Sequence, residues 1–501
     1  MAALPQSLPR ICVALGCSTP EELNLAAHRE YKDGGTFLEF RLDYLRDPLS
    51  GIALLRDLRQ TYPDLAILAT CRHKRNHGHF GGSPERQFDI LADAGRGGAT
   101  ALDLEVEAAE PAKVAVAALR SAAPLIVSYH DFEKTPALQP VLNRLTHIPA
   151  DAFKIAVTAR KPSDNLRLLN FLRQPRDAPL IAMAMSEIGS ASRILSPGMG
   201  SLFTFAAPSD VKGTAPGQVP AALLRTLYRA DKLSAHTRVF GVIADPVAHS
   251  KSPTIHNRAL HARRVDAVYL PFRVPPSQLR DWMIMALGLP VCGFSVTIPH
   301  KQRIMRYIDV IDPLAKRIGA VNTVWRKAGK WRGVNTDVAG VVEPLRRRLR
   351  LSHASILIAG YGGAARAAAF ALSDAGANIT ITGRNLKSAK TLAAAIKAEA
   401  ISLEDAGTKT FDAMVHATPL GMDPNPEGCL LEGRIPAKLV FDMVYNPRET
   451  LLLRRAKQQG CEIVYGSEML IEQAACQFEI FTGEAPPRDV MKTALDQALP
   501  V

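Results

Sequence analysis

The run DAFKIAVTAR, residues 151–160, places a lysine inside a stretch that is typical of a buried β-strand. Alternation of side chains puts Phe153, Ile155 and Val157 on one face and Lys154 on the other. A buried ammonium is unfavourable unless it is paired or neutralised. Lys154 is therefore either a paired structural lysine or a reactive amine, and this run alone leaves both interpretations open.

Four further ionisable residues occur in or directly after strand-like runs of the same half of the chain: Glu39, Arg41, Arg72 and His130. A lysine amine in a desolvated pocket can attack a ketone to form a Schiff base, whose iminium acidifies the adjacent carbon. An imidazole beside it can carry the released proton. The five residues together therefore indicate imine chemistry, although each alone has a structural explanation.

The second half contains a different chemical pattern, GYGGAARAAA, in which Gly360, Gly362 and Ala365 follow the strand-like run ILIAG. Such a turn, opening a helix, presents backbone N–H groups to a pyrophosphate. About twenty residues on, an acidic residue would select NAD, but ITGRN presents Arg384. A guanidinium there favours the 2′-phosphate of NADP.

Upstream of that turn, SVTIPHK and GVNTDVAG supply Lys301 and Asp337. An ammonium held by a carboxylate can deliver a proton to an oxygen while hydride reaches its carbon. Taken alone, the two residues would be an ordinary salt bridge.

The elements that must position these residues change in type along the chain. Eight strand-like runs separated by helical segments fill about the first 208 residues, the pattern of a (β/α)8 barrel, and GQVPAALLRTLYRADKLSA is its predicted last helix. The predicted fold is α/β, a TIM barrel followed by a two-lobed unit with a Rossmann domain. The predicted ranges are 1–232 for the barrel, 233–237 for a linker, 238–340 for a substrate lobe, 341–470 for the Rossmann lobe and 471–501 for helices returning to the substrate lobe.

Composition limits the function classes. A chain of 501 residues with 47% hydrophobic and 22% charged residues predicts a soluble protein of two to four domains. The net charge of +13 is spread along the chain, so we predict neither nucleic-acid nor membrane binding. Seven scattered cysteines without a CxxC pair, and an N-terminus without a signal-peptide pattern, predict a cytoplasmic protein without a metal site.

The first half resembles type I 3-dehydroquinate dehydratase in the motifs EFRLDYL, TCR, SYHDF, FKIAV, SEIGSASRILSPGMGSLFTFA and GTAPGQ. The resemblance implies that Lys154 forms the Schiff base and that His130 is the general acid/base. It implies that Arg193 clamps the substrate carboxylate. The other substrate contacts that it implies are Glu39, Arg41, Arg72, Thr214 and Gln218.

The second half resembles shikimate dehydrogenase in GVIADPVAHSKSP, SVTIPHK, AVNTV, GVNTDVAG, GYGGAARAA, ATPLGM, DMVYNP and GSEMLIEQAACQF. Lys301 and Asp337 are then the catalytic pair. The substrate contacts implied are Ser250, Ser252, Thr297, Asn322, Tyr445 and Gln473. The NADP contacts implied are Gly360, Gly362, Gly363, Ala364, Arg366, Arg384, Asn385, Thr418, Met443 and Gly466, with Met422 near the nicotinamide.

Together the resemblances predict a bifunctional shikimate-pathway enzyme that converts 3-dehydroquinate to 3-dehydroshikimate and then, with NADPH, to shikimate. Asn76 replaces a usual acidic residue and Ser295 a usual Asn, so both positions are expected to alter substrate contacts. Two alternatives stay open: a class I aldolase-like barrel fused to another dehydrogenase, and a non-catalytic sensor. Turnover of both substrates would separate them from the main hypothesis.

Overall fold

The computed structural model describes residues 4–5, 8–209, 213–422, 424–431 and 433–499. The chain divides into two compact units, residues 1–237 with 277–290, and residues 238–276 with 291–501. The predicted outer boundaries, Met1 and Val501, lie outside the described residues. The finer division into linker and lobes stays a prediction.

The first unit contains eight parallel strands in the order β7-β6-β5-β4-β3-β2-β1-β8. Leu202 donates its N–H to the carbonyl of Leu180, which connects the two ends of the sheet. All eight strands fall within the predicted runs, and the predicted barrel is confirmed. The strands are β1 (Ile11–Leu15), β2 (Phe37–Arg41), β3 (Ala66–Thr70), β4 (Ala101–Glu105), β5 (Leu125–His130), β6 (Ala152–Thr158), β7 (Leu180–Met185) and β8 (Thr204–Ala206).

Helices alternate with these strands. The helices after the first three strands each begin with a capping side chain followed by proline: Thr19, Asp47 and Ser83 accept backbone N–H groups of the first turn. The helices are α1 (Pro20–Lys32), α2 (Pro48–Thr61), α3 (Pro84–Arg96), α4 (Val106–Ala109), α5 (Lys113–Ala122), α6 (Leu138–Thr146), α7 (Pro162–Arg173), α8 (Ser190–Leu195) and α9 (Ala221–Thr226).

The predicted last helix of the barrel, residues 217–235, is wrong in its extent. Only α9 is α-helical, with a 3-10 turn at Ala230–Lys232. Pro220 is the N-cap of α9 and favours an extended start. Arg229 adopts a left-handed conformation, φ 49°, which an α-helix cannot continue through.

The second unit contains two six-stranded sheets. The first has the mixed order β10-β9-β11-β13-β14-β12. The second is parallel, in the order β17-β16-β15-β18-β19-β20, which is the 3-2-1-4-5-6 arrangement of dinucleotide-binding folds. The strands are β9 (Arg238–Ala244), β10 (Ala267–Arg273), β11 (Val291–Val296), β12 (Val310–Ile311), β13 (Thr323–Lys327), β14 (Lys330–Val334), β15 (Ser355–Ala359), β16 (Asn378–Thr382), β17 (Glu399–Ala400), β18 (Phe411–His416), β19 (Ala437–Asp442) and β20 (Glu462–Val464).

Helices lie between these strands along the chain and follow the last of them. The alanine-rich α14 packs its buried face into the core of the parallel sheet, because small side chains allow helix and sheet to approach closely. The helices are α10 (Ser252–Ala262), α11 (Leu279–Gly288), α12 (Pro313–Ile318), α13 (Asp337–Arg346), α14 (Gly363–Asp374), α15 (Leu386–Ala395), α16 (Leu403–Thr408), α17 (Leu451–Gln458), α18 (Gly466–Thr482) and α19 (Arg488–Ala498).

Helix α11 groups with the first unit, although β10 and β11 on either side of it belong to the second. It packs against α7, where Ser163 donates its backbone N–H and its hydroxyl to the Asp281 carboxylate at 2.7 and 2.8 Å. Within the described ranges, no helix combines the length and apolar character that a membrane span requires.

Candidate active sites

The first unit has a pocket at the carboxyl ends of its strands, where catalytic residues of such barrels lie. Lys154 on β6 faces this pocket together with Ala156, as the alternation of side chains predicts. Every predicted dehydratase residue lines it: Glu39, Arg41, Arg72, His130, Lys154, Arg193, Thr214 and Gln218.

Lys154 is buried and paired with a residue that the sequence analysis did not single out. Its Nζ donates to Asp103 Oδ2 at 2.9 Å, and Arg72 Nη2 donates to Asp103 Oδ1 at 2.7 Å. Burial alone would raise the pKa of the Asp103 carboxyl, but Lys154 and Arg72 outweigh burial and hold that pKa well below its usual range. One carboxylate therefore compensates two buried cations.

His130 ends β5 and lies beside the same cations. Arg72 Nη1 lies 3.1 Å from His130 Nδ1, and since arginine only donates, Nδ1 accepts. Burial, followed by the positive charges of Arg72 and Lys154, lowers the pKa of His130 well below its ordinary value. The imidazole is therefore neutral near pH 7, with its proton on Nε2 in this arrangement.

Arg193 on α8 is an almost fully buried guanidinium without a carboxylate partner among the described residues. Its Nη1 contacts Met183 Sδ at 3.4 Å, its Nη2 donates to the Pro216 carbonyl at 3.3 Å, and its Nε has no hydrogen-bond partner there. Burial lowers the pKa of Arg193 to about 10. Such a group is prepared to receive an anion.

The two charged residues of β2, Glu39 and Arg41, each have a hydrogen-bond partner inside the protein. Glu39 accepts from Thr70 Oγ1 at 2.7 Å. Arg41 makes a two-point contact with Asp43, Nε to Oδ1 at 2.9 Å and Nη2 to Oδ2 at 2.8 Å. Asp43 therefore fixes the plane of the Arg41 guanidinium at the wall of the pocket.

Thr214 and Gln218 reach the pocket from the loop after β8, where Gln218 Nε2 donates to Thr214 Oγ1 at 3.3 Å. Gly217 between them has φ +74°, and a Cβ there would lie 2.1 Å from the carbonyl oxygen of Ser186. The loop can therefore approach β7 only with glycine at this position.

The second unit has a larger pocket. Lys301 Nζ donates to Asp337 Oδ2 at 2.6 Å, and Asn322 Nδ2 donates to Asp337 Oδ1 at 2.8 Å. Asp337 therefore orients the Lys301 ammonium, and Asn322 orients Asp337. The pocket brings together Ser250, Ser252, Thr297, Lys301, Asn322, Asp337, Ala364, Met422, Met443, Tyr445, Gly466 and Gln473.

Gln477 on α18 is a pocket residue that the sequence analysis missed. Its Nε2 donates to Gln473 Oε1 at 2.9 Å, and its Oε1 accepts from Ser295 Oγ at 2.8 Å. The hydroxyl of Tyr269 donates to Ser295 Oγ at 2.7 Å. The shorter Ser295 side chain is therefore fully bonded inside the protein, with Tyr269 and Gln477 on either side.

The remaining predicted cofactor residues lie outside this pocket, after parallel strands or at helix starts on the same edge of the Rossmann sheet. Gly360 has φ +132°, and a Cβ there would lie 2.7 Å from the carbonyl oxygen of Ala417. Arg366 donates from Nε to the Ile318 carbonyl at 2.8 Å. The residues of this group are Gly360, Gly362, Gly363, Arg366, Arg384, Asn385 and Thr418.

Thr418 is oriented by two buried residues that the sequence analysis did not identify. His416 Nε2 lies 2.6 Å from Thr418 Oγ1, and His416 Nδ1 lies 2.9 Å from Asp442 Oδ1. A carboxylate beside Nδ1 favours a proton there, so Nε2 accepts the hydroxyl proton of Thr418. This chain of contacts fixes the Thr418 hydroxyl directly after β18.

Comparison with known families gives three matches in chain order. The model of type I 3-dehydroquinase matches residues 11–235. The model of the shikimate dehydrogenase substrate binding domain matches residues 242–324, and that of the shikimate 5′-dehydrogenase C-terminal domain matches residues 466–495.

A curated relative spans nearly the whole chain. The chloroplastic bifunctional 3-dehydroquinate dehydratase/shikimate dehydrogenase of Arabidopsis thaliana is 34% identical over 505 residues, covering 96% of this chain and 83% of the relative. The chain belongs to this bifunctional family. NADP(+)-dependent shikimate dehydrogenase of Symbiobacterium thermophilum is 42% identical over 52% of this chain and 95% of its own.

Two solved structures resemble the shikimate dehydrogenase half of this bifunctional protein. A shikimate dehydrogenase in complex with NADP+ is 38% identical, with a TM-score of 0.51, over 54% of this chain and 98% of that chain. Shikimate 5-dehydrogenase of Thermus thermophilus, in complex with NADP(H) and shikimate, is 34% identical, with a TM-score of 0.50, over 52% and 100%.

Proposed function

We propose that the first unit dehydrates 3-dehydroquinate through an imine on Lys154 and that the second reduces the product, 3-dehydroshikimate, to shikimate with NADPH. Membership of the family carries both activities, a 3-dehydroquinate dehydratase and an NADP-dependent shikimate dehydrogenase. The observation that supports the residue roles is the pocket in which Lys154, His130 and the unpaired Arg193 face one another.

The dehydratase step begins when the substrate carboxylate binds Arg193, because a planar guanidinium matches a carboxylate at two points. Lys154 transfers a proton, attacks the ketone carbon and expels its oxygen as water, which leaves an iminium. His130 then accepts a proton from the adjacent carbon. Before this, its ring must give up the hydrogen bond that Nδ1 accepts from Arg72 and carry its own proton on Nδ1, which leaves Nε2 free to act as the base. The enamine pair then expels the hydroxyl, which takes the proton that His130 accepted and leaves as water, and hydrolysis of the iminium frees Lys154.

The second unit fits NADP at the start of α14. A Cβ on Gly362 or Gly363 would meet no atom within 4 Å, so open space lies before the backbone N–H groups of the first turn. Arg384 is exposed directly after β16, where the 2′-phosphate of NADP is expected. When bound, the cofactor supplies hydride, and Lys301, oriented by Asp337, donates the proton that the forming alkoxide needs.

We also propose a cytoplasmic location and small-molecule partners only: 3-dehydroquinate, 3-dehydroshikimate, shikimate and NADP(H). The scattered cysteines support a reducing compartment.

Lys154→Ala tests these roles. We expect no detectable enone formation from 3-dehydroquinate, whereas oxidation of shikimate with NADP should stay within about twofold of the unsubstituted protein. Borohydride together with 3-dehydroshikimate should modify Lys154 in the unsubstituted protein and nothing in the variant. Enone formation by the variant would refute the imine, and loss of both activities would refute independent sites.

A further inference from the structure

A buried chain of hydrogen bonds runs from β10 to the pocket of the second unit. Its first member, Tyr269, does not line that pocket, whereas Ser295 and Gln477 do. The hydroxyl of Tyr269 donates to Ser295 Oγ at 2.7 Å, and Ser295 Oγ donates to Gln477 Oε1 at 2.8 Å. All three side chains are buried. Tyr269 is therefore connected to the pocket through Ser295.

Tyr269 is held in place by two consecutive residues of α10. Its strand, β10, is an edge strand of the mixed sheet. There the Asn257 side chain accepts from Tyr269 N at 2.9 Å and donates to Tyr269 O at 2.8 Å, as a neighbouring strand would. The ring of His256 stacks on the phenol with centroids 4.3 Å apart. Burial also raises the pKa of Tyr269 well above its ordinary value, so the phenol keeps its proton.

The phenol determines the direction of the hydrogen bonds that follow it. A hydroxyl group has one proton to donate, and a phenol, being more acidic than an alcohol, is the better donor of the two. Ser295 therefore accepts from Tyr269 and gives its own proton to an acceptor, which is the amide oxygen of Gln477. Without the phenol hydroxyl, Ser295 could instead accept from Gln477 Nε2, and both orientations of that amide would be available.

The orientation of the Gln477 amide in turn sets that of Gln473. Gln477 Nε2 donates to Gln473 Oε1 at 2.9 Å, and Gln473 Nε2 donates to the Leu470 carbonyl at 3.1 Å. Gln473 thus has one N–H left, and it lines the pocket as a predicted substrate contact. Thr323 and Thr336 also accept from Gln477 Nε2, but a hydroxyl can donate as well as accept, so they do not select one orientation. Tyr269 supplies that selection.

We propose that Tyr269 is a positioning residue of the shikimate dehydrogenase site. It acts through Ser295 to set the direction of the Gln477 and Gln473 amides, and so presents an N–H group of Gln473 to a hydroxyl of the substrate ring. Tyr269 itself stays outside the pocket, and its contribution to substrate recognition is indirect. The inference rests on the shikimate dehydrogenase function proposed above.

The test is a double-mutant cycle of Tyr269→Phe and Ser295→Ala, with oxidation of shikimate by NADP as the assay. Phenylalanine keeps the ring that stacks on His256 and removes only the hydroxyl. Tyr307→Phe is the matched control, because Tyr307 belongs to the same unit and does not line the pocket. KM for NADP reports whether the cofactor site is intact. Ser295→Ala tests the connection by itself should Tyr269→Phe fail to fold.

We expect Tyr269→Phe to raise KM for shikimate about three- to tenfold, the effect of losing one hydrogen bond, and to leave kcat and KM for NADP within about twofold. Ser295→Ala should raise KM for shikimate at least as much, and adding Tyr269→Phe to it should change that KM by less than about twofold. An unchanged KM for shikimate in either single variant, effects that multiply in the double variant, an equal rise in KM for NADP or an equal change in Tyr307→Phe would each overturn the proposal. Absence of shikimate oxidation by the unsubstituted protein would instead overturn the proposed function, and this inference with it.

Discussion

Asp103 is the single negative charge that Lys154 and Arg72 share, and it is buried with both of them. Asp103→Asn keeps the shape but removes the one charge that is hydrogen-bonded to both buried cations. Breaking a buried ion pair in this way destabilises a protein by about 3–5 kcal/mol. We expect such a loss in the unfolding free energy of the first unit, measured by urea denaturation.

The same variant should lose dehydratase activity, because the Lys154 amine loses its carboxylate partner and keeps only its contact with the Phe205 ring. Asp151→Asn is the matched control: Asp151 pairs with the partly buried Arg120 at 2.7 Å, away from the pocket. Equal effects of the two substitutions on kcat would contradict the assignment of Asp103 to the position of Lys154.

Arg193 shows the opposite imbalance, a buried cation for which the described part of the chain supplies no carboxylate partner. Arg193→Met should therefore raise the unfolding free energy of the first unit by roughly 1–3 kcal/mol, since replacing a buried charge with an apolar side chain is often stabilising. It should also raise KM for 3-dehydroquinate at least about tenfold. Thermal unfolding and steady-state kinetics measure the two effects, and a destabilised variant with unchanged KM would refute the carboxylate role.

The sequence alone identified Lys154 as a candidate but did not identify Asp103, and the reason is physical. Lys154 was recognisable because a charge inside an apolar run is unfavourable by itself. Asp103 in ALDLEVE has the same character, but its importance depends on which strand faces which across the barrel. Likewise the unpaired state of Arg193 depends on three-dimensional neighbours that residue spacing does not encode.

At the scale of elements, α10 and β10 bury an imidazole against a phenol. His256 stacks on Tyr269 with ring centroids 4.3 Å apart and an interplanar angle of 7°. Burial lowers the pKa of His256 to about 4, and its Nε2 has no hydrogen-bond partner among the described residues. The neutral form is thus the one that the folded state accommodates.

This lowered pKa predicts a pH-dependent stability. Because the folded-state pKa lies below the unfolded value of about 6.5, the contribution is complete above pH 6.5 and is lost as pH falls toward 4. The difference between these two pKa values corresponds to about 3 kcal/mol. In calorimetry, the unfolding transition of the second unit is the one that NADP should shift to higher temperature. That transition should show the loss of stability at low pH, and His256→Phe should make the loss smaller. An unchanged pH dependence in His256→Phe would assign the effect to other groups.

Arg384, which follows β16, is the residue predicted to favour NADP over NAD. Arg384 is exposed there, and Asn385 caps α15 by accepting from Ser388 N at 3.1 Å. Arg384→Ala should raise KM for NADP about tenfold while leaving KM for NAD within about twofold. Lys390→Ala on α15 is the control, because it removes one exposed positive charge further along the chain. A similar change in both variants would indicate a general electrostatic effect rather than phosphate recognition.

Elements were predictable where periodicity and turn residues agree, as in the eight barrel strands and in β15, its glycine turn and α14. Residues 217–235 show where this fails. Their composition favours one helix, but Pro220 and the left-handed Arg229 interrupt it. The grouping of α11 with the barrel was likewise not readable from sequence, since it depends on tertiary contacts with α7.

At the scale of the whole molecule, the two chemistries use separate residues, and the product of the first is the ketone that the second reduces. The sites should therefore be separable by substitution. Lys154→Ala leaves only the reductase, and Asp337→Asn leaves only the dehydratase. Neither variant alone should convert 3-dehydroquinate and NADPH to shikimate.

An equimolar mixture of the two variants should restore that conversion through free 3-dehydroshikimate. NADPH consumption should begin after a lag, because the intermediate must first accumulate toward the KM of the reductase. The lag should shorten as the concentration of the Lys154→Ala variant, which supplies the reductase sites, increases. Absence of NADPH consumption in the mixture would mean that each activity requires both intact sites in one chain. A lag in the unsubstituted protein equal to that of the mixture would indicate that its intermediate also passes through solution.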